Sequence, residues 1–233
     1  IQLIILFVNI FLNREITIGS TPKSKGKIDE LVKLIKLGIP ILSGYFIGTL
    51  ILSSDRVIIN LFFTIENFAI YSFAFSLITV FSIVVKSAAT VLFPYLKQQS
   101  ETQLIASYNF IKRSVILFSV ITFLGYWPVS LIVENYINQY TESLQIFTVL
   151  YSGFILELIV MTVLFNFIKI FGLQNKYLKI NTFILMLAII LNLIFYFIWG
   201  EILSIAWASF FTFMTWYYFT DKMLTTRMKV KVN

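Results

Sequence analysis

The chain contains no cysteine and no histidine. Disulfides, thiolate metal sites, cysteine or histidine nucleophiles and imidazole proton shuttles are therefore unavailable to it. Charge is scarce as well. Only 12% of residues are Asp, Glu, Lys or Arg, against roughly 25% in an average soluble domain. With 59% hydrophobic residues and a mean hydropathy of +0.89, a water-soluble fold is excluded. Acids are the rarer sign, 11 against 18 bases, which leaves a net charge of +7. That balance would suit nucleic acid if the bases formed a patch, but they are scattered, so no nucleic-acid partner is expected.

Their scatter has a pattern. Arg14, Lys23, Lys25, Lys27, Lys33 and Lys36 form one group, Lys97, Lys112 and Arg113 a second, Lys169, Lys176 and Lys179 a third, and Lys222, Arg227, Lys229 and Lys231 a fourth. Apolar segments separate them. The alternate connections carry Glu66, Glu134, Glu142 and Glu201 instead. This is the asymmetry of the positive-inside rule. It predicts an all-α, polytopic membrane helix bundle with its C-terminus cytoplasmic.

A helix needs about 20 apolar residues to span a bilayer. Six complete candidates occur, over residues 37–63, 68–95, 114–133, 144–168, 180–199 and 202–220. Residues 1–13 read as the end of a preceding transmembrane helix, so the chain is expected to be part of a longer protein. Residues 14–36 read as a cytoplasmic linker and amphipathic helix. The stretch GSTPKSKGK (19–27) is the hinge, and Ile28, Leu31, Val32 and Ile35 form the apolar stripe. Gly38 and Pro40 are expected to make a flexible turn into the 37–220 bundle. Residues 221–233 read as a basic cytoplasmic tail.

Two cations, Arg56 and Lys86, fall outside the four basic groups and inside predicted spans. In the first span, Tyr45, Thr49, Ser53, Arg56 and Asn60 occupy an arc of roughly 80° on a helical wheel. In the second, Ser72, Ser76, Thr79, Ser82, Lys86 and Thr90 occupy roughly 120°. At 1.5 Å per residue, Arg56 lies roughly 15 Å from Glu66 and Lys86 roughly 16 Å from Lys97. A polar stripe at that depth lines either a helix contact or a water-filled cavity. Hydroxyls alone are ordinary glue between helices, but two cations would demand carboxylate partners in a packed interface. A cavity wall is the expectation.

Two acids also lie within spans. Asp55 adjoins Arg56 in sequence, and such neighbours are expected to point away from each other on a helix. It shares a face with Gly44 and Gly48, a small-xxx-small pair permitting close helix approach. An interhelical hydrogen bond or ion pair is therefore expected of Asp55. Glu157 lies near the middle of the fourth span, close to Lys86 in depth. It shares its face with Leu150, Gly153, Met161 and Leu164, opposite Thr148, Ser152, Thr162 and Asn166. It is a candidate carboxyl for proton coupling in a transport cycle.

The run LIKLGIPILSGYFIGTLILSSDRVIINLFF (34–63), followed by IENFAIYSFAFSL (65–77) and VLFPYL (91–96), resembles polysaccharide flippases. These belong to the multidrug, oligosaccharidyl-lipid and polysaccharide exporter superfamily. The resemblance rests on Gly38 and Pro40, on Ser54–Asp55–Arg56 followed by Ile58–Ile59, on the region of Tyr71, and on Pro94. It implies two six-helix bundles around a central cavity, of which this chain would be the C-terminal half in a bacterial cytoplasmic membrane. The implied substrate is a polyprenyl-diphosphate-linked oligosaccharide, moved between leaflets by alternating access. Its implied partners are that substrate, membrane lipid, the missing N-terminal bundle of the same protein, and glycan polymerases. Neither cofactor nor metal is implied. A diphosphate would suit Arg56, a planar bidentate donor, and Lys86, a mobile point charge. Tyr45, Thr49, Ser53, Asn60, Thr79, Ser82 and Thr90 would complete the wall. A drug or cation antiporter of the same superfamily is the runner-up, although it would favour acidic cavity residues. A membrane-embedded glycan polymerase or transferase would need paired carboxylates or a large outer loop, which are absent, so no enzymatic activity is expected.

Overall fold

The structure is a computed structural model that describes residues 27–232, with the side chains of 31–36 and 38–228. The expected stump at 1–13 and hinge at 19–26 lie outside the described residues. Eight α-helices follow in order among the described residues: α1 (Lys27–Phe62), α2 (Ile65–Lys97), α3 (Glu101–Phe123), α4 (Tyr126–Tyr136), α5 (Ser143–Leu158), α6 (Phe165–Phe171), α7 (Gln174–Trp199) and α8 (Ile202–Val232). A 3₁₀ turn at Asn138–Tyr140 precedes α5, and a π-helical segment, Ile159–Leu164, joins α5 to α6. No strand occurs among the described residues. Among the described residues, six helical stretches are long and apolar enough to cross a membrane. In lipid the backbone has no water to bond, so continuous helix is the solution that satisfies its N–H and C=O groups.

The chain divides into residues 1–39 and 40–233. Of the first unit, the described part is the beginning of α1, where Leu31, Val32 and Ile35 are exposed alongside Lys33 and Lys36. The expected turn at Gly38 and Pro40 does not interrupt the helix. Helical hydrogen bonding runs from Lys27 to Phe62 with Pro40 inside it. A proline there removes one N–H from the ladder without requiring the chain to leave the helix.

In the second unit, the span made by α5, the π segment and α6 is the most buried. Helix α8 packs along α5 and α7, α2 packs along α5, and α3 meets the π segment. Close approach is possible because α5 presents Gly153 to α8. A Cβ at Gly153 would sit 3.0 Å from Phe210 Cα and 3.1 Å from Phe213 Cδ2. Two turns close on glycines with positive φ, Gly172 (67°) and Gly200 (65°), each ending the helix before it.

The basic connections are shorter than expected. Only residues 98–100 separate α2 from α3, and Lys112 and Arg113 lie within α3 rather than in a loop. Likewise Lys176 and Lys179 belong to α7, and the expected basic tail continues α8 to Val232. Lys, Arg, Gln and Glu are good helix formers, so the helices overrun the apolar segments that betrayed them. Lys112 then reaches across to α8. Its Nζ donates to Asp221 Oδ1 at 2.6 Å, and Tyr108 Oη donates to the same oxygen at 2.6 Å.

Gly153→Ala should destabilise the bundle by about 1–3 kcal/mol through overpacking against the α8 backbone. Gly38→Ala, whose Cβ meets nothing within 4 Å among the described residues, should instead be neutral or stabilising by up to about 1 kcal/mol. Thermal unfolding of the two variants in one detergent measures the contrast.

Candidate functional site

The face of α1 that carries Tyr45, Thr49, Ser53, Arg56 and Asn60 is exposed or half-buried throughout. Its hydroxyls close on their own helix. Thr49 Oγ1 donates to the Phe46 carbonyl at 2.7 Å, and Ser53 Oγ donates to that of Thr49 at 3.0 Å. Their protons are committed, so these oxygens meet an incoming group as acceptors. On α2, Ser76, Thr79 and Thr90 bond in the same way to Ser72, Phe75 and Ser87. Ser82 departs from the stripe. It is 1% exposed and turned into the interior among Phe118, Ser119 and Tyr151. The broad α2 arc extends past the open face, and Ser82 lies on its buried side.

Arg56 is held firmly. Nη2 donates to the Leu52 carbonyl at 2.9 Å and meets Ser53 Oγ at 3.5 Å. The guanidinium carbon lies 3.9 Å from the centre of the Phe75 ring on α2, a cation–π contact. Contrary to expectation, Arg56 also meets Asp55, with Nε 3.8 Å from Oδ1. The Cβ vectors of neighbours diverge, but the arginine side chain is long enough to fold back along its helix past the carboxylate. Lys86 is exposed, with Nζ 5.8 Å from the centre of the Phe154 ring on α5. Phe75 and Phe154 pack edge to face at 6.3 Å. The two cations thus flank one pair of rings. The grooves between α2 and α3 and at the α7–α8 turn are lined by neither cation.

Asp55 is buried and shared by three helices. Its Oδ2 accepts from Tyr71 Oη of α2 at 2.6 Å and from Ser209 Oγ of α8 at 3.3 Å, while Oδ1 accepts the Arg56 N–H at 2.7 Å. The glycines of the same face do what small residues permit. Tyr177 of α7 approaches within 3.0 Å of a Cβ position at Gly44, and Met161 of the π segment within 3.1 Å of one at Gly48. Asn181 of α7 donates to the Gly44 carbonyl at 2.7 Å and accepts from Trp216 Nε1 of α8 at 2.9 Å.

Glu157 is fully buried, and neither carboxylate oxygen has a hydrogen-bond partner. No ion pair joins it to Lys86. The expected division of this span into two faces fails beyond Leu158. Thr162 and Asn166 are buried just as Glu157 is, because the π segment adds a residue to the turn and rotates the remainder of the span. Asn166 Nδ2 donates both to the Thr162 carbonyl at 2.8 Å and across to the Ala89 carbonyl of α2 at 3.2 Å.

Sequence reasoning missed Ser209, Asn181, Trp216 and the Lys112–Asp221 pair, and it gave no role to Phe75 and Phe154. Asn181 could have been found, since an amide in an apolar span needs a partner. The phenylalanines carry no such signal in a chain with 25 of them. No group of His, Cys, Asp or Glu suited to a metal ion occurs among the described residues.

Residues 1–100 match the family described as polysaccharide biosynthesis protein. No curated protein and no solved structure matches the chain. The match ends in the turn after α2, so it takes in both helices that carry the exposed polar face. With six span-length apolar helices, it marks a multi-pass membrane protein.

Asp55→Ala should cost about 2–3 kcal/mol, because it leaves the buried Tyr71 hydroxyl with only the Ser209 hydroxyl at 3.5 Å and Arg56 without its carboxylate. Asp55→Asn keeps an acceptor for Tyr71 and should cost about half as much. Denaturant or thermal titration of both variants reads the order.

Proposed function

We propose that this chain forms one wall of a transport cavity that moves a polyprenyl-diphosphate-linked oligosaccharide across the membrane. The observation that carries the reading is the α1–α2 face. It bears a braced arginine, an exposed lysine and a row of hydroxyls, within the residues that match the polysaccharide biosynthesis family. An anionic diphosphate in a low-dielectric cavity needs fixed cations, and each charge-assisted contact is worth about 1.5–3 kcal/mol. Arg56 supplies a pre-oriented fork whose Nη1 is neither buried nor bonded among the described residues. Lys86 supplies a mobile charge on the far side of the Phe75–Phe154 pair. The hydroxyl oxygens of Thr49, Ser53, Thr79 and Thr90 accept from sugar hydroxyls. A second bundle closes the cavity opposite, and alternating access carries the substrate between leaflets in the cytoplasmic membrane. In this reading no bond of the substrate is made or broken, so the protein is a transporter and not an enzyme.

Glu157 has the environment of a coupling group. A buried carboxyl with no hydrogen-bond partner gains little from remaining charged in place. Proton uptake and release there, with Lys86 moving towards and away from it, would tie the cycle to the proton gradient.

In a flippase-deficient strain carrying the full-length protein, Arg56→Ala and Lys86→Ala should each lower glycan export about tenfold or more. Ser82→Ala, on the buried side of α2, should leave it unchanged. Full export by both cation variants would remove the site. Glu157→Gln should fold with unchanged or higher thermal stability, since it breaks no hydrogen bond, while abolishing the pH dependence of transport in vesicles. Transport with wild-type pH dependence would end the coupling role.

A further inference from the structure

A groove of about 580 Å³ opens at the turn between α7 and α8, away from the α1–α2 face. Four rings line it. Trp199 and Phe195 come from α7 with their centres 4.9 Å apart, and Phe211 and Trp207 come from α8 at 6.3 Å. Phe195 and Phe211 join the two pairs at 6.0 Å, so the rings form a continuous arc. Trp199, Trp207 and Phe211 are all exposed. Glu201 lines the same groove and is its one charged residue.

The turn fixes the backbone of Glu201 beside the groove. Gly200 takes a left-handed conformation and its N–H bonds to the Tyr196 carbonyl at 2.8 Å. Ser204 Oγ donates to the Glu201 carbonyl at 2.6 Å and the Phe195 carbonyl at 3.3 Å. The Glu201 side chain itself has no hydrogen-bond or ion-pair partner among the described residues. Nor does any described cation lie over the four rings. The seven cation–π contacts found among the described residues all use other aromatics.

Aromatic faces carry negative quadrupole density, and a tryptophan face is the best of them for a cation. Ring faces of this kind beside an unpaired carboxylate favour a cation over an anion. An ammonium group is the complementary ligand. The location selects its carrier. The turn lies at the ends of two spans, opposite the ends bearing Lys176, Lys179 and Lys222, at the level where tryptophans meet lipid headgroups. We propose that this groove binds the ammonium head of an ethanolamine phospholipid, with Glu201 as counter-ion and the Trp199 and Trp207 rings against the head and the upper acyl chain. The site is independent of the transport reading and does not require it.

The test is lipid titration of the full chain in detergent, followed by native mass spectrometry. Phosphatidylethanolamine and phosphatidylglycerol of identical acyl chains are the probes. The wild type should bind the ethanolamine lipid about fivefold or more tightly than the glycerol lipid. Glu201→Gln and Trp207→Ala should each remove that preference by weakening ethanolamine-lipid binding, with glycerol-lipid binding unchanged. Trp207→Phe keeps a ring and should retain part of it. Trp127→Ala, at an exposed tryptophan outside the groove, should have no effect. Equal binding of both lipids by the wild type would overturn the proposal. So would a Glu201→Gln variant that merely gains glycerol-lipid binding, since that is bare repulsion. A preference indifferent to both Glu201 and Trp207 would overturn it as well.

Discussion

One carboxylate sets the geometry on which the rest of the α1–α2 face depends. Asp55 is out of contact with water, and an isolated charge there would be prohibitively costly. It is tolerated because its oxygens are occupied by Tyr71 from α2, Ser209 from α8, and Arg56 from its own helix. Each of those bonds fixes something different. Tyr71 sets the distance between α1 and α2, Ser209 ties α1 to the α8 side of the bundle, and the arginine contact orients the guanidinium. The group read as a packing residue therefore also aims the group read as a binding residue. Structure and site are one arrangement here, and the polar face of α1 stays outward because its opposite face is anchored.

The glycines of that opposite face meet the same requirement. A carboxylate can reach a tyrosine on one neighbour and a serine on another only if the backbones come close. Gly44 and Gly48 let Tyr177 and Met161 press against α1, and the Asn181–Trp216 pair then satisfies the Gly44 carbonyl side of the contact. Without a hydrophobic drive between helices in lipid, such packing and buried hydrogen bonding are what hold them together.

What could be read from the sequence was what a one-dimensional pattern records. The six spans, the all-helical architecture, the small-residue face of α1 and the interhelical role of Asp55 are dictated by apolar length and helical period. Helix ends were not legible, because Lys112, Arg113, Lys176 and Lys222 sit on helical overruns that hydropathy cannot distinguish from loops. Side-chain reach was not legible either. A wheel separates Asp55 from Arg56 by direction alone, whereas the long arginine bends back past its neighbour. Wheel analysis also assumes a constant period, and the π segment at Ile159–Leu164 breaks it, burying Thr162 and Asn166 on the side assigned to the opposite face. Ser82 marks the limit of stripe reading. A 120° arc is wider than the open face, so one of its members had to turn inward.

The π segment links these failures to function. An extra residue in a helical turn costs hydrogen-bond geometry and is kept where register matters. Here it comes directly after Leu158, one residue beyond Glu157, and lies in the most buried span, with α3 and α8 packed on it. On its N-terminal side the span presents Phe154 beneath Lys86 and the partnerless Glu157. On its C-terminal side Asn166 bonds across to the α2 backbone at Ala89. A helix that resumed its ordinary period through this segment would rotate one side against the other. Either Glu157 would shift relative to the Lys86 ammonium or Asn166 would lose its hold on α2. The segment thus couples the carboxyl's environment to the position of the helix that carries the lysine. In the proposed transport cycle, such a joint would link the protonation of Glu157 to movement of the cavity wall.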